Sequence, residues 1–482
     1  MRDSPPSLSN LIIMRGINRF QWLIRKSTSY GAEYKNLLRL GLPVMITQLG
    51  IIVVSFADTI MVAHCGTREL GAAAFVNSIF MVAIVMLFGF AAGLTPLIGA
   101  LFSRGDSRSL GAMMKAGVIA NLAMAIIFTV ILGCLYFFVG HMGQSEELLP
   151  LVRPYFLIVL ATLLPLALFN ALQQTSNGCT DTATPMWLIL GSNALNIFGN
   201  WLLIGGNWGF PALGLSGAGL STLISRIVAA IGIVIVFLVD KKRRAYLEGW
   251  KSADRELTKA NCRQVWKTSS PVMVQSGIEC FMWSFGGVVS GWFGTIQLAS
   301  YQVVNTIAQL GFMVYMGFGV ATSIRVANFW GVKEYQSARR ITMAGLHLIL
   351  LLAVIACLGF GFFFRPLLEI FTPDPIVEAA AIPLLLPLIL YQLGDAVQLT
   401  YANALRGTSH VKPLLKAAVI SYIIIGIPLM LLLAVGFNTG NVGVYYSFIV
   451  ALMAAALIMY VSFRKVLRRH LHPEDSEEKK EE

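Results

Sequence analysis

Charge is scarce in this chain: only 12% of its 482 residues are Asp, Glu, Lys or Arg, against about a quarter in soluble globular proteins. A water-soluble enzyme of this length could not cover its surface with so few charges, and that class is excluded. Histidine is scarcer still, at six, and the six cysteines (Cys65, Cys134, Cys179, Cys262, Cys280, Cys357) include no CxxC pair. Neither a transition-metal cluster nor a disulfide framework is expected. Apolar residues, in contrast, make up 56% of the chain, with a mean hydropathy of +0.72. A membrane-crossing helix needs about 20 apolar residues, and twelve stretches qualify. They are centred near Val53, Val85, Ile126, Leu160, Leu195, Ile227, Phe281, Met313, Ala353, Leu390, Ile424 and Ala451. The expected fold is an all-α polytopic membrane protein of twelve transmembrane helices.

The net charge of +12 would suggest nucleic acid in a soluble protein, but its placement is a topology signal. Counting Lys and Arg on alternate sides of the twelve spans gives 32 on one side and only Arg68, Arg153 and Arg365 on the other, with Arg226 inside a span. By the positive-inside rule both tails and the 241–267 loop are cytoplasmic, and no nucleic-acid partner is expected. The N-terminal stretch carries a short apolar run, Leu11 to Met14, broken by Arg15, so it does not read as a cleavable signal. Phe20-Gln-Trp-Leu-Ile-Arg-Lys reads either as a basic segment along the membrane surface or as plain tail.

The widest polar interruption, Asp240 to Gln264, falls after the sixth span and halves the chain. Sliding the sequence by 228 residues without a gap superposes Pro43-Val-Met on Pro271-Val-Met, Gly66-Thr on Gly294-Thr, Leu70 on Leu298, Val76-Asn on Val304-Asn, Ile79 on Ile307 and Gly89-Phe on Gly317-Phe. These are 11 identities over positions 43 to 96, where chance gives roughly three or four. Two six-helix lobes in parallel orientation follow, a design in which the substrate path of a secondary transporter runs between the lobes. The expected boundaries are a cytoplasmic N-tail over 1–34, an N-lobe over 35–245, a linker over 246–266, a C-lobe over 267–468 and a charged C-tail over 469–482.

Ionisable groups inside spans cost roughly 2.5–3.5 kcal/mol each on insertion scales and mark function. Three carboxylates stand there: Asp58, Glu279 and Asp395. The repeat does not reproduce them, since Asp58 aligns on Gly286, Glu279 on Ile51 and Asp395 on Ala167. The lobes are thus expected to share a fold but not a site. Asp58 has Asn196 and Asn200 as neutral oxygen donors on one helical face, at i,i+4 spacing. Glu279 and Asp395 lie in the other half, with Tyr391 one turn from Asp395. Such hard oxygen sets suit an alkali ion or a proton. Arg226 is expected to neutralise Asp58 or to cap backbone carbonyls, and His347 to pack or to relay protons. Met81, Met86, Met113, Met114, Phe281, Trp283, Phe285, Trp292 and Tyr301 are read as core and lipid contacts or as walls of an adaptable pocket for flat cations.

At these residues the chain resembles the multidrug and toxic compound extrusion (MATE) family, in its NorM-like branch. The matching segments are Leu42-Pro-Val, Val54-Ser-Phe-Ala-Asp-Thr-Ile-Met-Val, Gly66-Thr-x-x-Leu, Leu94-Thr-Pro-Leu, Asn196-Ile-x-x-Asn-Trp and Gly219-Leu-Ser-Thr-Leu-Ile-Ser-Arg. They continue with Pro271 eight residues before Glu279 and with Tyr391-Gln-x-x-Asp-Ala-Val-Gln followed by Leu405-Arg-Gly. The likeness runs from about Tyr34 to Arg469. It implies an N-lobe site at Asp58 with Asn196, Asn200 and Thr222, and a C-lobe cation site at Glu279, Tyr391 and Asp395; the hard oxygens there favour Na+ at Glu279 and Asp395. It further implies export of organic cations, drugs and toxic compounds across a bacterial inner membrane, driven by inward Na+ or H+ and with no other cofactor. An aspartate found near Asn200 in archaeal-type relatives is absent here, which favours the branch with the C-lobe site.

A lipid-linked saccharide flippase of the same superfamily is the alternative; it should line its cavity with several Arg or Lys, where the spans offer Arg226 against three acids. A membrane-embedded enzyme would need a reactive cluster, and there is no HExxH, DDxxD or membrane His or Cys cluster. A channel is disfavoured by the unequal placement of the carboxylates, which suits discrete binding events.

Overall fold

A computed structural model of the chain describes residues 30–142, 145–372 and 374–471. The basic segment at Phe20 to Lys26 and most of both expected tails lie outside the described residues. In lipid no water is present to satisfy exposed backbone groups, so apolar runs of this length must close their hydrogen bonds internally as helices. Twelve such helices follow one another: α1 (Tyr30–Ala63), α2 (Thr67–Arg104), α3 (Ser107–Tyr136), α4 (Glu146–Gly178), α5 (Ala183–Gly205), α6 (Gly214–Val239), α7 (Arg255–Gly291), α8 (Thr295–Gly331), α9 (Tyr335–Phe371), α10 (Pro375–Gly407), α11 (Lys412–Gly436) and α12 (Asn441–Leu471). There is no strand among the described residues. The protein is an integral multi-pass membrane protein of the all-α class, as its hydropathy predicts.

Polar residues and glycines punctuate the helices. Asp106, Asp254 and Asp374 cap α3, α7 and α10 by accepting hydrogen bonds from the backbone N–H of Ser109, Leu257 and Ile376. Gly66 and Gly294, a repeat pair, precede α2 and α8 with φ of 144° and 108°. An L side chain is strained there, so glycine is needed at both positions.

Two apolar cores form. One joins α2 through α6, with Phe80 and Phe156 edge to face at 4.9 Å. The other joins α7 through α12, with Trp283 and Phe448 at 4.2 Å. Between Asp240 and Arg255 a short amphipathic linker helix (Arg244–Ser252) docks on the start of α3, where Gly111 and Gly249 allow backbone contact and Lys115 Nζ donates to the Ala253 carbonyl at 2.9 Å. Arg243 anchors it: the guanidinium donates to Ser176 Oγ at 3.0 Å, pairs with Asp181 and Asp240, and lies over the Phe237 ring.

The halves meet along α1 against α8 and α2 against α7. A Cβ on Gly317 would fall 2.6 Å from Met45 N, and one on Gly89 would fall 3.1 Å from Met273 Cα. Met45 and Met273 are repeat mates, as are Gly89 and Gly317. The Pro-Val-Met and Gly-Phe segments that betray the repeat are therefore the two sides of one interface, made twice. Towards the Lys/Arg-rich side the contact continues: Asn328 Nδ2 donates to the Gly99 carbonyl at 3.0 Å, Arg104 Nε to the Gly331 carbonyl at 2.7 Å, and buried Arg325 on α8 pairs with buried Glu33 on α1 at 3.4 Å.

Candidate functional site

The N-lobe site is assembled by three helices. Asp58 comes from α1, Asn196 and Asn200 from one face of α5, and Thr222 from α6. Asn200 Nδ2 donates to Asp58 Oδ1 at 2.5 Å. With the Asn196 amide turned so that its oxygen accepts from the Thr222 N–H and hydroxyl at 3.2 Å, its nitrogen donates to the same Asp58 oxygen at 2.8 Å. All four expected residues are thus brought together. Arg226 lies one turn beyond Thr222 on α6; it donates to the Thr162 hydroxyl at 2.6 Å and interacts electrostatically with Asp58 and Tyr155. Its hydrogen-bond acceptor is a hydroxyl rather than a backbone carbonyl, and among the described residues no ion pair joins it to Asp58.

The C-lobe site holds the other two acids. Glu279 on α7 accepts three hydrogen bonds at one oxygen, Oε1: from Gln275 Nε2 at 3.0 Å, Gln398 Nε2 at 2.8 Å and the Tyr422 hydroxyl at 3.3 Å. Asp395 on α10, 7% exposed, accepts at Oδ2 from the Tyr315 hydroxyl at 2.7 Å. That hydroxyl is shared with Gln392 Oε1, while Gln392 Nε2 is tied to the Ala308 carbonyl at 2.8 Å. The two carboxylates interact electrostatically. Tyr391 lies in the same buried region with its ring 5.2 Å from that of Trp283, and no hydrogen bond joins it to either acid among the described residues.

Sequence reasoning missed Gln275, Gln398, Tyr422, Tyr315 and Gln392 as members of this site. Neutral polar residues are frequent in membrane helices, so type alone does not mark them. Spacing could have: Gln275 is four residues before Glu279, and Gln392 and Gln398 flank Asp395 by three on either side. The cation beside Glu279 was also missed. Arg406, near the end of α10, reads from sequence as a topology charge, yet it interacts electrostatically with Glu279 and donates to Gln275 Oε1 at 3.3 Å. The ionisable inventory of the two sites is therefore three carboxylates and two guanidiniums.

A common pattern links the three acids. Asp58 Oδ1, Glu279 Oε1 and Asp395 Oδ2 take the protein's donors, and among the described residues no hydrogen bond reaches the second oxygen of any of them. Each can offer that oxygen to an incoming cation or proton without breaking a protein hydrogen bond. The partners of the three acids are amide and phenol groups, which with the carboxylates make a hard set. His347 lies apart, its Nδ1 sharing a hydrogen bond with the Tyr34 hydroxyl at 2.9 Å. Met113, Met114 and Tyr301 are buried core, and Phe281 and Trp292 are more than half exposed.

The MatE family model matches residues 43–202 and 271–432, two segments whose starts differ by the 228 residues of the repeat. The chain is 26% identical over 446 residues to a probable multidrug resistance protein NorM of Geobacillus kaustophilus, covering 91% of this chain and 96% of that protein. It is 27% identical over 435 residues to the multidrug resistance protein NorM of Vibrio cholerae, covering 89% and 95%. In fold it is similar to a solved MOP superfamily transporter from Pyrococcus furiosus, with a TM-score of 0.82 at 18% identity over 91% of this chain and 96% of that one. A duplicated twelve-helix membrane fold, matched in both halves by one family and along nine-tenths of its length by NorM proteins, makes this chain a member of the MatE family of transporters and not an enzyme.

Proposed function

We propose that the protein is a cation-coupled antiporter of the bacterial cytoplasmic membrane that exports organic cations by alternating access, with the Lys/Arg-rich side facing the cytoplasm. The observation that carries this reading is the arrangement of Glu279 and Asp395: two acids in one lobe, each with one oxygen tied to neutral donors and the other left for a cation. Uphill export requires that the driving ion and the cargo bias the same conformational equilibrium. Competition for one set of acids does this. An inward cation neutralises the C-lobe acids, changes which lobe arrangement is stable and weakens the hold on a cationic drug. Asp58, with its amide and hydroxyl partners Asn196, Asn200 and Thr222, is a second ion or proton site in the other lobe. Sodium is the preferred ion, because carboxylate, amide and phenol oxygens form a hard site; a proton is the alternative. The lipid-linked saccharide reading is less supported, since the two guanidiniums near the acids are held by Thr162 and Gln275 and are outnumbered by three carboxylates.

Drug efflux from proteoliposomes under separate sodium and pH gradients tests the proposal. Glu279→Gln and Asp395→Asn are each expected to abolish uphill export while the protein still folds, and Asp58→Asn to impair it. Full cation-driven export by the Glu279→Gln, Asp395→Asn double variant would overturn the scheme, and loss of export confined to anionic compounds would overturn the cargo class.

A further inference from the structure

We propose that Arg406 is a tethered internal counter-ion of Glu279 that sets how tightly the C-lobe holds its driving cation. The inference rests on the coupling reading of Glu279 given above.

Arg406 stands near the end of α10, partly buried, with its Nε buried and without a hydrogen-bond partner. One guanidinium nitrogen donates to Gln275 Oε1 at 3.3 Å, and the other end of the same amide donates to Glu279 Oε1 at 3.0 Å. Gln275 is fully buried, so water does not screen the relay. The amide dipole is oriented head to tail by the two charges: its oxygen faces the cation and its nitrogen faces the anion. Only a positive group at position 406 and a negative one at 279 reward this orientation together.

Three consequences follow from the geometry. The relay fixes the rotamer of Glu279, because Gln275, Gln398 and Tyr422 all bind Oε1, and this directs Oε2 away from the tether. The guanidinium stabilises the ionised carboxylate without a direct ion pair, so no contact must be broken before a cation reaches Oε2. Finally, it repels that cation. A second unit charge one amide away, at an effective dielectric of about 20, weakens cation binding by about tenfold. Arg406 thus trades affinity for release, as an antiporter needs if the ion is to leave on the low-concentration side. It is a positioning residue that acts through Glu279. Asp395, held by Tyr315, has no such tether among the described residues.

The test measures the concentration of driving cation giving half-maximal export in proteoliposomes of the full-length protein, with sodium as the probe and protons where the gradient experiment selects them. Arg406→Gln is expected to lower that concentration about tenfold and to slow turnover at saturation, and Arg406→Lys to bring both back towards wild type. Gln275→Leu, which cuts the relay and leaves the charge, should lower the half-maximal concentration by less than Arg406→Gln does. A purely structural role for Arg406 would reduce the amount of protein or raise the concentration needed. An unchanged or raised value in Arg406→Gln, while Glu279→Gln abolishes the cation response, overturns the inference. If Arg406→Gln fails to accumulate, the neutral variant Arg406→Met is read in the same way, and an unchanged or raised value there overturns the inference equally. Retained cation-driven export in Glu279→Gln would instead remove the coupling reading on which it rests.

Discussion

Two tyrosines near Asp395 illustrate what a single residue type cannot reveal. From sequence, Tyr391 is the natural partner, being one helical turn away on the same helix. In the structure its ring lies against Trp283, and the hydroxyl that reaches Asp395 belongs to Tyr315 on α8, 80 residues away in the chain. Helical spacing places a residue on a face, whereas the partner across a helix interface is set by how the lobe folds. A hydrogen bond to a charged group contributes about 1.5–3 kcal/mol, so its loss matters if Asp395 binds the driving cation. Tyr315→Phe is expected to reduce cation-driven export at least tenfold, and Tyr391→Phe by less than about twofold, at equal protein in the membrane. Transport assays on the two variants decide it, and the reverse order would give the ligand role to Tyr391.

At the scale of helices, the acids were legible because an ionisable group inside a span carries an insertion cost that stands out against an apolar background. Their donors were not, because Gln and Tyr carry no such cost and only the arrangement of helices decides whether they face an acid or a neighbour's backbone. α11 adds a second reason. It is π-helical over Val419–Gly426 and again over Leu431–Gly436, and Tyr422, which donates to Glu279, lies in the first of these stretches. A sequence read at 3.6 residues per turn misplaces every side chain on such a helix. The repeat was legible over positions 43 to 96, and the structure gives a reason why two of those positions kept their identity: Gly89 and Gly317 admit the backbones of α7 and α1 at the lobe interface. Gly317→Leu would drive a side chain into Met45 and Gly41. If alternating access requires α1 and α8 to part, this wedge favours the separated arrangement. The expected outcome is faster labelling of a cysteine placed at Asn328 from the cytoplasmic side, with export lowered. Slower labelling than in the parent protein would count against separation at this interface.

For the molecule as a whole, the scarcity of charge makes each buried ion pair a choice between conformations. Glu33 and Arg325 join the lobes near the Lys/Arg-rich ends of α1 and α8; they are 0% and 8% exposed, and Arg325 also lies over the Phe329 ring at 4.6 Å. From sequence, Arg325 counts only towards topology, because its partner is 292 residues distant. A pair buried between rigid bodies is stabilising mainly in the sense that removing one member strands the other, at about 3–5 kcal/mol. If the cytoplasmic side opens during transport, both groups meet water, their desolvation cost disappears, and little net energy opposes the opening. The pair would then act as a registry device for the closed state. Stranding Arg325 by Glu33→Gln would destabilise the closed arrangement without affecting the open one, so the population shifts towards cytoplasm-open and drug affinity measured from that side rises. Reversing both charges, Glu33→Arg with Arg325→Glu, is expected to recover most of the export lost in either single reversal. The double-mutant cycle is read from export rates at matched protein levels. Strict additivity of the two reversals would show that the groups do not act as a pair during turnover, and the closed state would then rest on the other contacts between the lobes, the glycine contacts and the Asn328 and Arg104 hydrogen bonds among them.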